Sequence, residues 1–290
     1  MTAPAAPEVW TIERILKATQ DYFAGKGIAS ARLDSELLLV EVLKIKRIQL
    51  YTSYDRPLTE PERDAYRALV KRRGAFEPVA YILGTREFYG RPFVVNRDVL
   101  VPRPETEHLV DAVLKRVRES APSVPSILDV GTGSGAIAVT LALELPAARV
   151  TATDISAKAL AVARANAATL SANVDFRETD LVTGIQPGFD VIVANLPYVG
   201  ENERASLAPD VRDHEPSLAL FSGPDGLNAI RRLVVDARKL VGAGGLLALE
   251  IGAGQGHGVR ELMEQAGWSK VAVQADLAGH PRVVVGEAAS

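Results

Sequence analysis

Two short segments carry residue types and spacings that could do chemistry. Ile127-Leu128-Asp129-Val130 reads as a buried strand, leads into Gly131-Thr132-Gly133-Ser134-Gly135, and is followed by a helical run over 136–145. Glycines at alternate positions let the backbone turn sharply and approach a ligand closely, because no Cβ stands in the way. The helix start behind them offers unpaired N–H groups and positive potential, which suit a carboxylate or phosphate. Asp154 closes the next strand, 23 residues after Gly131. A carboxylate there can accept both hydroxyl hydrogens of a ribose. A tight turn with no ligand is the competing reading, but the order strand, loop, helix, strand, acid favours a bound nucleotide.

The second segment lies further on. The strand 190–194 runs directly into Asn195-Leu196-Pro197-Tyr198. The Asn195 side-chain oxygen and the Leu196 carbonyl can each accept one N–H of a substrate NH2 group. Tyr198 can lay its ring on the planar group that carries that NH2. Pro197 fixes its own φ and biases Leu196 toward an extended conformation, so the device is stiff. Alone, such a tetrapeptide is a strand-ending turn. Beside a ligand loop, with both at carboxyl ends of strands, it reads as an acceptor clamp.

These segments need a scaffold. From Glu105 onward helix and strand alternate, with strands expected at 126–130, 149–153, 174–178, 190–194, 245–251, 271–274 and 282–285. The alternation implies an α/β fold, a mainly parallel seven-stranded sheet with helices on both faces and ligands at the carboxyl ends of the strands. Residues 8 to about 73 read instead as helices. Ile12, Ile15, Leu16 and Thr19 share one face of the first. Thr59-Glu60-Pro61-Glu62 combines a cap, an early proline and an acid three residues on, a strong start signal. Between the two regions, 88–95 and 99–101 suggest a short hairpin with Asn96-Arg97-Asp98 near its turn, closed by Pro102 and Pro104. The expected division is therefore 1–85 as a helical substrate-recognition domain, 86–104 as a β-hairpin linker and 105–290 as the catalytic domain.

Composition narrows the classes. The 290 residues are 47% hydrophobic and 24% charged, the balance of a globular protein with a core, and the net charge of −3 gives no bulk attraction for nucleic acid. With no cysteine, disulfides, thiolate metal sites and cysteine nucleophiles are excluded. His108, His214, His257 and His280 are scattered, with no pair at ligand spacing. The N-terminus lacks a basic and apolar leader, and no apolar run approaches the ~20 residues of a membrane span. The expectation is a cytoplasmic protein without membrane association. The basic helix ends at Lys44, Lys46, Arg47 and Lys71-Arg72-Arg73 read as dipole-matched, solvated faces or as contacts for an acidic partner.

The glycine spacing also bears on the nucleotide. It is G-x-G-x-G, not the dinucleotide G-x-G-x-x-G, and with Asp129 two residues before the first glycine it resembles the S-adenosylmethionine loop of Rossmann-like class I methyltransferases. That resemblance puts Asp180 where such enzymes hold the adenine amino group, with Leu181 packed on the ring; a solvated turn acid fits Asp180 equally well. It adds a sulfonium methyl to the clamp's chemistry. An amide nitrogen is a weak nucleophile, so two acceptors that turn it toward the methyl, and stabilise the charge developing there, would carry the rate without a strong base.

Over nearly the whole chain the sequence resembles the peptide chain release factor N5-glutamine methyltransferases. The likeness is carried by Pro78-Val79-Ala80-Tyr81-Ile82-Leu83-Gly84, Glu87-Phe88-Tyr89-Gly90, Val99-Leu100-Val101-Pro102-Arg103-Pro104-Glu105-Thr106-Glu107, residues 129–138, Asn195 to Tyr198, Glu215-Pro216, 223–227 and Arg282. The Pro-Arg-Pro-Glu-Thr-Glu piece discriminates most. The resemblance implies methylation of the glutamine in the Gly-Gly-Gln loop of release factors, with the N-terminal domain helping to hold the protein. The family usually shows Asn-Pro-Pro-Tyr; Leu196 replaces the first proline here, which puts loop rigidity in question rather than the chemistry. Residues 252–258 are expected to be a flexible loop with His257 incidental, and Glu105 and Glu107 either line the acceptor site or brace the domain junction.

Four other readings compete. Adenine N6 methylation of nucleic acid uses the same clamp but wants a basic groove, and residues 1–85 hold 13 basic against 11 acidic side chains. Glutamine methylation of a ribosomal protein differs only in partner. A nicotinamide dehydrogenase would use the loop and Asp154 but leave the clamp unexplained. A non-enzymatic binding module would leave both halves of a transfer site without purpose.

Overall fold

The structure, a computed structural model, describes residues 9–120, 124–276 and 278–289. They form two compact units. The first runs to Gly84 and takes in Pro209–His214; the second comprises Thr85–Ala208 and the chain from Glu215 onward.

The first unit is helical, with helices Ile12–Gly25, Ala31–Leu43, Arg47–Thr52, Glu60–Gly74 and Val79–Leu83. The start signal at Thr59 operates as expected: Thr59 Oγ1 accepts from Glu62 N–H (3.4 Å) and the Glu62 carboxylate accepts from Thr59 N–H (2.8 Å). Phe23, Leu38, Leu39, Leu50 and Tyr66 fill the core. Three of the basic helix-end residues are committed inside this unit. Arg73 is buried and pairs with buried Asp34 (2.7 Å), Arg47 pairs with Glu36 (2.6 Å), and Arg72 with Glu77 (2.8 Å). A buried guanidinium needs such a partner to offset its desolvation, so Arg73 at least is structural and not a face for a partner.

The second unit opens with a hairpin of strands β1 (Thr85–Phe88) and β2 (Arg91–Val94). Its turn is Tyr89-Gly90, earlier than the expected Asn96-Arg97-Asp98. Both turn residues have positive φ, +51° and +70°, the conformation whose twist matches a two-residue hairpin loop. Phe88 and Phe93 meet edge-on at 6.0 Å and join Leu109 and Val113 of the helix Glu107–Ser120 in the core.

Seven further strands make one sheet: β3 (Ser126–Val130), β4 (Arg149–Asp154), β5 (Val174–Glu178), β6 (Phe189–Ala194), β7 (Val241–Glu250), β8 (Trp268–Ala275) and β9 (Pro281–Ala288). Their order is β5-β4-β3-β6-β7-β9-β8, with β9 alone running opposite to the other six. All seven expected strands form. All five residues of β3 are buried, and successive side chains serve opposite faces: Ile127 joins one hydrophobic cluster, Leu128 the other. That is why the central strand reads as a continuous apolar run. The chain winds outward from β3 through β4 to β5, then returns to β6 on the other side. The crevice where the winding reverses, at the carboxyl ends of β3 and β6, is where such sheets bind ligands. Among the described residues no helix is long and apolar enough to cross a membrane.

Candidate active site

The register of the sheet assembles the site. Val130 is level with Thr153 on one side and Ala194 on the other, so the glycine loop, Asp154 and Asn195 emerge side by side. They border a cavity of about 360 Å³, within the range of small-molecule sites. Its lining includes Gly131 through Ser134, Asp154, Asp180, Leu181 and Asn195 to Pro197. Gly135 and Tyr198 do not line it.

In the loop, Gly131 and Thr132 N–H both donate to the Thr153 carbonyl (2.9 Å each), locking the turn to β4. Gly131 has φ +75°, and a Cβ there would come 2.9 Å from Leu196 Cδ2, so the two segments touch. Gly133 has φ +56°, and a Cβ there would meet nothing within 4 Å. Its bare face looks into open space, as a loop that admits a ligand requires. Gly135 instead lies against Ala163, 3.1 Å from where its Cβ would be, and starts the helix Ala136–Glu144.

Asp154 receives Gly133 N–H on Oδ2 (2.8 Å) and Ser156 N–H on Oδ1 (2.9 Å). Each oxygen keeps a second lone pair, so the carboxylate is aimed and still able to take two hydroxyl hydrogens. Burial raises its pKa, and the backbone N–H donors oppose that. Asp129 is fully buried; it accepts from Thr132 Oγ1 (2.6 Å) and Ala138 N–H (3.2 Å), while its Oδ1 has no partner. Burial pushes its pKa to about 7. Bare Gly133, the paired acceptor Asp154 and the helix N-terminus fit the methionine and ribose ends of S-adenosylmethionine. At the other end, Asp180 Oδ2 pairs with Arg232 (2.7 Å) and both groups stay about half exposed; exposed pairs are weakly held, so Asp180 keeps acceptor capacity beside Leu181 and the exposed Ile155.

On the acceptor side, Asn195 donates through Nδ2 to Thr106 Oγ1 (3.2 Å). Leu196 is buried, 4% exposed, in the second core cluster. Tyr198 is held from behind: Gln255 Nε2 donates to its carbonyl (2.8 Å), and a Cβ on Gly226 would come 2.1 Å from that oxygen. Burial raises the Tyr198 hydroxyl to about 12, with Glu250 and Glu105 adding to the shift and Arg103 and Arg282 opposing it. Arg103 pairs with Glu215 at 2.6 Å, joining two of the motif pieces read from the sequence at the cavity wall.

Sequence reasoning missed Thr106, Glu250, Gln255 and the reason for Gly226. Thr106 sits inside the Pro-Arg-Pro-Glu-Thr-Glu piece, the one available signal, between two charged residues. Glu107 turns away to accept from Tyr89 N–H (2.8 Å). Nor is 252–258 simply a loop. The helix Gly256–Gln265 begins within it, and His257 is 84% exposed beside Glu261.

The N-terminal part, residues 14–84, matches the model of the PrmC N-terminal domain, and residues 106–210 match the methyltransferase small domain. A release factor glutamine methyltransferase of Rhodopirellula baltica is 44% identical over 283 residues, 95% of each chain. One from Koribacter versatilis is 45% identical, covering 95% of this chain and 98% of its own. The chain belongs to the release factor glutamine methyltransferase family. The family resemblance expected from the motifs is thus borne out. A methyltransferase structure from Pyrococcus furiosus, 17% identical with a TM-score of 0.52 over 77% of this chain and 98% of that one, shares the fold.

Within that family Leu196 is the departure noted above, and its burial changes what its replacement should do. Leu196→Pro removes packed apolar atoms, so stability is expected to fall by about 1–3 kcal/mol. Methyl transfer should stay within a few-fold, because the backbone carbonyl remains. Urea unfolding and single-turnover assays check both. A loss of transfer as large as that of an Asn195 variant would give the side chain a chemical role.

Proposed function

We propose that this chain transfers the methyl group of S-adenosylmethionine to the side-chain amide nitrogen of the glutamine in the Gly-Gly-Gln loop of peptide chain release factors. The observation that carries the reading is the placement of Asn195, Leu196 and Pro197 on the wall of the cavity that the glycine loop and Asp154 also line. A donor crevice and a clamp for a planar NH2 group share one space. Gly131 to Ser134 receive the methionine end, Asp154 the ribose, and Asp180 and Leu181 the adenine.

When bound, S-adenosylmethionine would supply an electrophilic methyl on positively charged sulfur, with the neutral thioether as leaving group and one amide N–H proton released in the exchange. The chain's own part is placement. Asn195 Oδ1 and the Leu196 carbonyl hold the two amide hydrogens, turning the nitrogen toward the methyl and stabilising its growing charge. Tyr198 follows the clamp just outside the cavity lining, and Gln255 and Gly226 fix its backbone carbonyl.

Separate incubation with labelled S-adenosylmethionine and an intact release factor, a ribosomal protein or an adenine-containing oligonucleotide tests the substrate class. Label should accumulate on the release factor; faster labelling of either alternative would overturn the assignment. The helical unit supports the further reading that it enlarges the surface for a protein substrate. A short Gly-Gly-Gln peptide should then show a KM at least about tenfold above that of the intact factor, the equivalent of 1.4 kcal/mol of lost contact. Equal KM values would remove that role from residues 1–85.

A further inference from the structure

Glu250 ends β7 beside the clamp, and nothing in the reaction as described uses it. Ala194 of β6 is level with Leu249 of β7, so the next residues in the two strands, Asn195 and Glu250, are neighbours across the ladder. Glu250 is 3% exposed, and its Oε2 is buried with no hydrogen-bond partner. A carboxylate in such a place is costly unless it has a task.

The task follows from hydrogen-bond direction. Asn195 can serve the clamp only if its Oδ1 faces the substrate, because an NH2 group turned outward would oppose the substrate's own NH2. The two ends of an asparagine amide are nearly the same size, so packing alone does not choose between them. The observed contact, Asn195 Nδ2 to Thr106 Oγ1 at 3.2 Å, chooses correctly, but a hydroxyl can accept or donate. Something must hold Thr106 in the accepting role. An ionised carboxylate is an acceptor only, and buried Glu250, with its Oε2 unpartnered, stands close enough to Thr106 and Asn195 that each favours its charged form. With the Thr106 proton turned to Glu250, the Thr106 oxygen is left to accept from Asn195, and the Asn195 oxygen is left for the substrate.

We infer that Glu250 is a positioning residue for methyl transfer: acting through Thr106 and on Asn195 itself, it fixes which end of the Asn195 amide meets the acceptor nitrogen. This deepens the clamp reading of Asn195 and rests on it. The chain of bonds keeps its direction only while Glu250 is ionised. The charged groups around it are Glu105, before the helix Glu107–Ser120, and Arg282 of β9, with the Tyr198 hydroxyl, itself influenced by Arg103, close by. Burial raises Glu250 to about 7, Glu105 adds to the rise, and Thr106, Arg282 and Asn195 oppose it. Protonation as pH falls through that value would let Glu250 donate and reverse the chain, so an acid limb that disappears in Glu250→Gln is expected.

The test compares Asn195→Ala, Glu250→Gln, Thr106→Val and Thr106→Ser in single-turnover transfer from pH 5.5 to 8.5, about a unit and a half either side of that value, with S-adenosylmethionine affinity measured alongside. Glu250→Gln, which can donate to Thr106, should transfer about tenfold more slowly at the alkaline end, the worth of one hydrogen bond turned from favourable to opposed. It should lose the acid limb and bind the cofactor as the unaltered enzyme does. Thr106→Val should be slowed similarly, and Thr106→Ser should recover several-fold relative to it. A merely structural role would weaken binding or stability without moving the pH profile. If Glu250→Gln does not fold, the Thr106 pair decides alone. Asn195→Ala slowed, with an unchanged rate and acid limb in Glu250→Gln or equal rates in the two Thr106 variants, overturns the positioning role and leaves the clamp. Asn195→Ala at full rate overturns the clamp itself.

Discussion

Asn195→Ala is expected to lower single-turnover methyl transfer by about 10²–10³-fold, the scale on which one preorganised polar contact to a transition state acts. Cofactor affinity should change far less, because Asn195 follows β6 while Asp154 ends β4 on the other side of β3, and the Asn195 amide is bonded to Thr106. Asn195→Asp is the informative companion. It keeps an acceptor but places a negative charge beside the sulfonium, so it should tighten cofactor binding while retaining part of the transfer. A rate in Asn195→Ala equal to that of the unaltered enzyme would mean that the acceptor nitrogen is held elsewhere.

Asp154→Ala is expected to weaken S-adenosylmethionine binding by about 10²-fold or more, since hydrogen bonds to a charged group contribute about 1.5–3 kcal/mol each. Two effects combine. The ribose loses its acceptors, and Gly133 N–H and Ser156 N–H lose theirs, so the loop loosens as well. Asp154→Asn separates the two: it keeps one acceptor oxygen and should fall between the extremes. Calorimetry on both variants checks this, and unchanged affinity in both would place the cofactor elsewhere. Gly133→Val should weaken binding by the opposite route, adding a side chain where the backbone is bare and φ is +56°.

The sheet and the donor half of the site were legible because each depends on local pattern. A strand buried on both faces must be apolar throughout, as 126–130 is, and a glycine loop between strand and helix announces itself. The acceptor tetrapeptide was legible for the same reason. What escaped was whatever depends on pairing at a distance. Thr106 is an ordinary residue until Asn195, 89 positions away, donates to it. Glu250 reads as the polar end of a strand until the register sets it beside Asn195. The hairpin turn was misplaced because Asn96-Arg97-Asp98 has turn composition, whereas the true turn uses a tyrosine at φ +51°, which composition disfavours. Leu196 shows the same limit: the tetrapeptide reveals its backbone carbonyl, but only the fold reveals that its side chain is buried against Gly131.

The most direct measurement locates the transferred methyl. An intact release factor is incubated with the enzyme and S-adenosylmethionine, digested, and its peptides fragmented by mass spectrometry, alongside a factor whose Gly-Gly-Gln glutamine is replaced by alanine. One methyl group on the side-chain nitrogen of that glutamine, absent from the alanine factor, is the expected result. Methylation of a different residue, or equal labelling of the alanine factor, would contradict the reading of this cavity as a glutamine methyltransferase site.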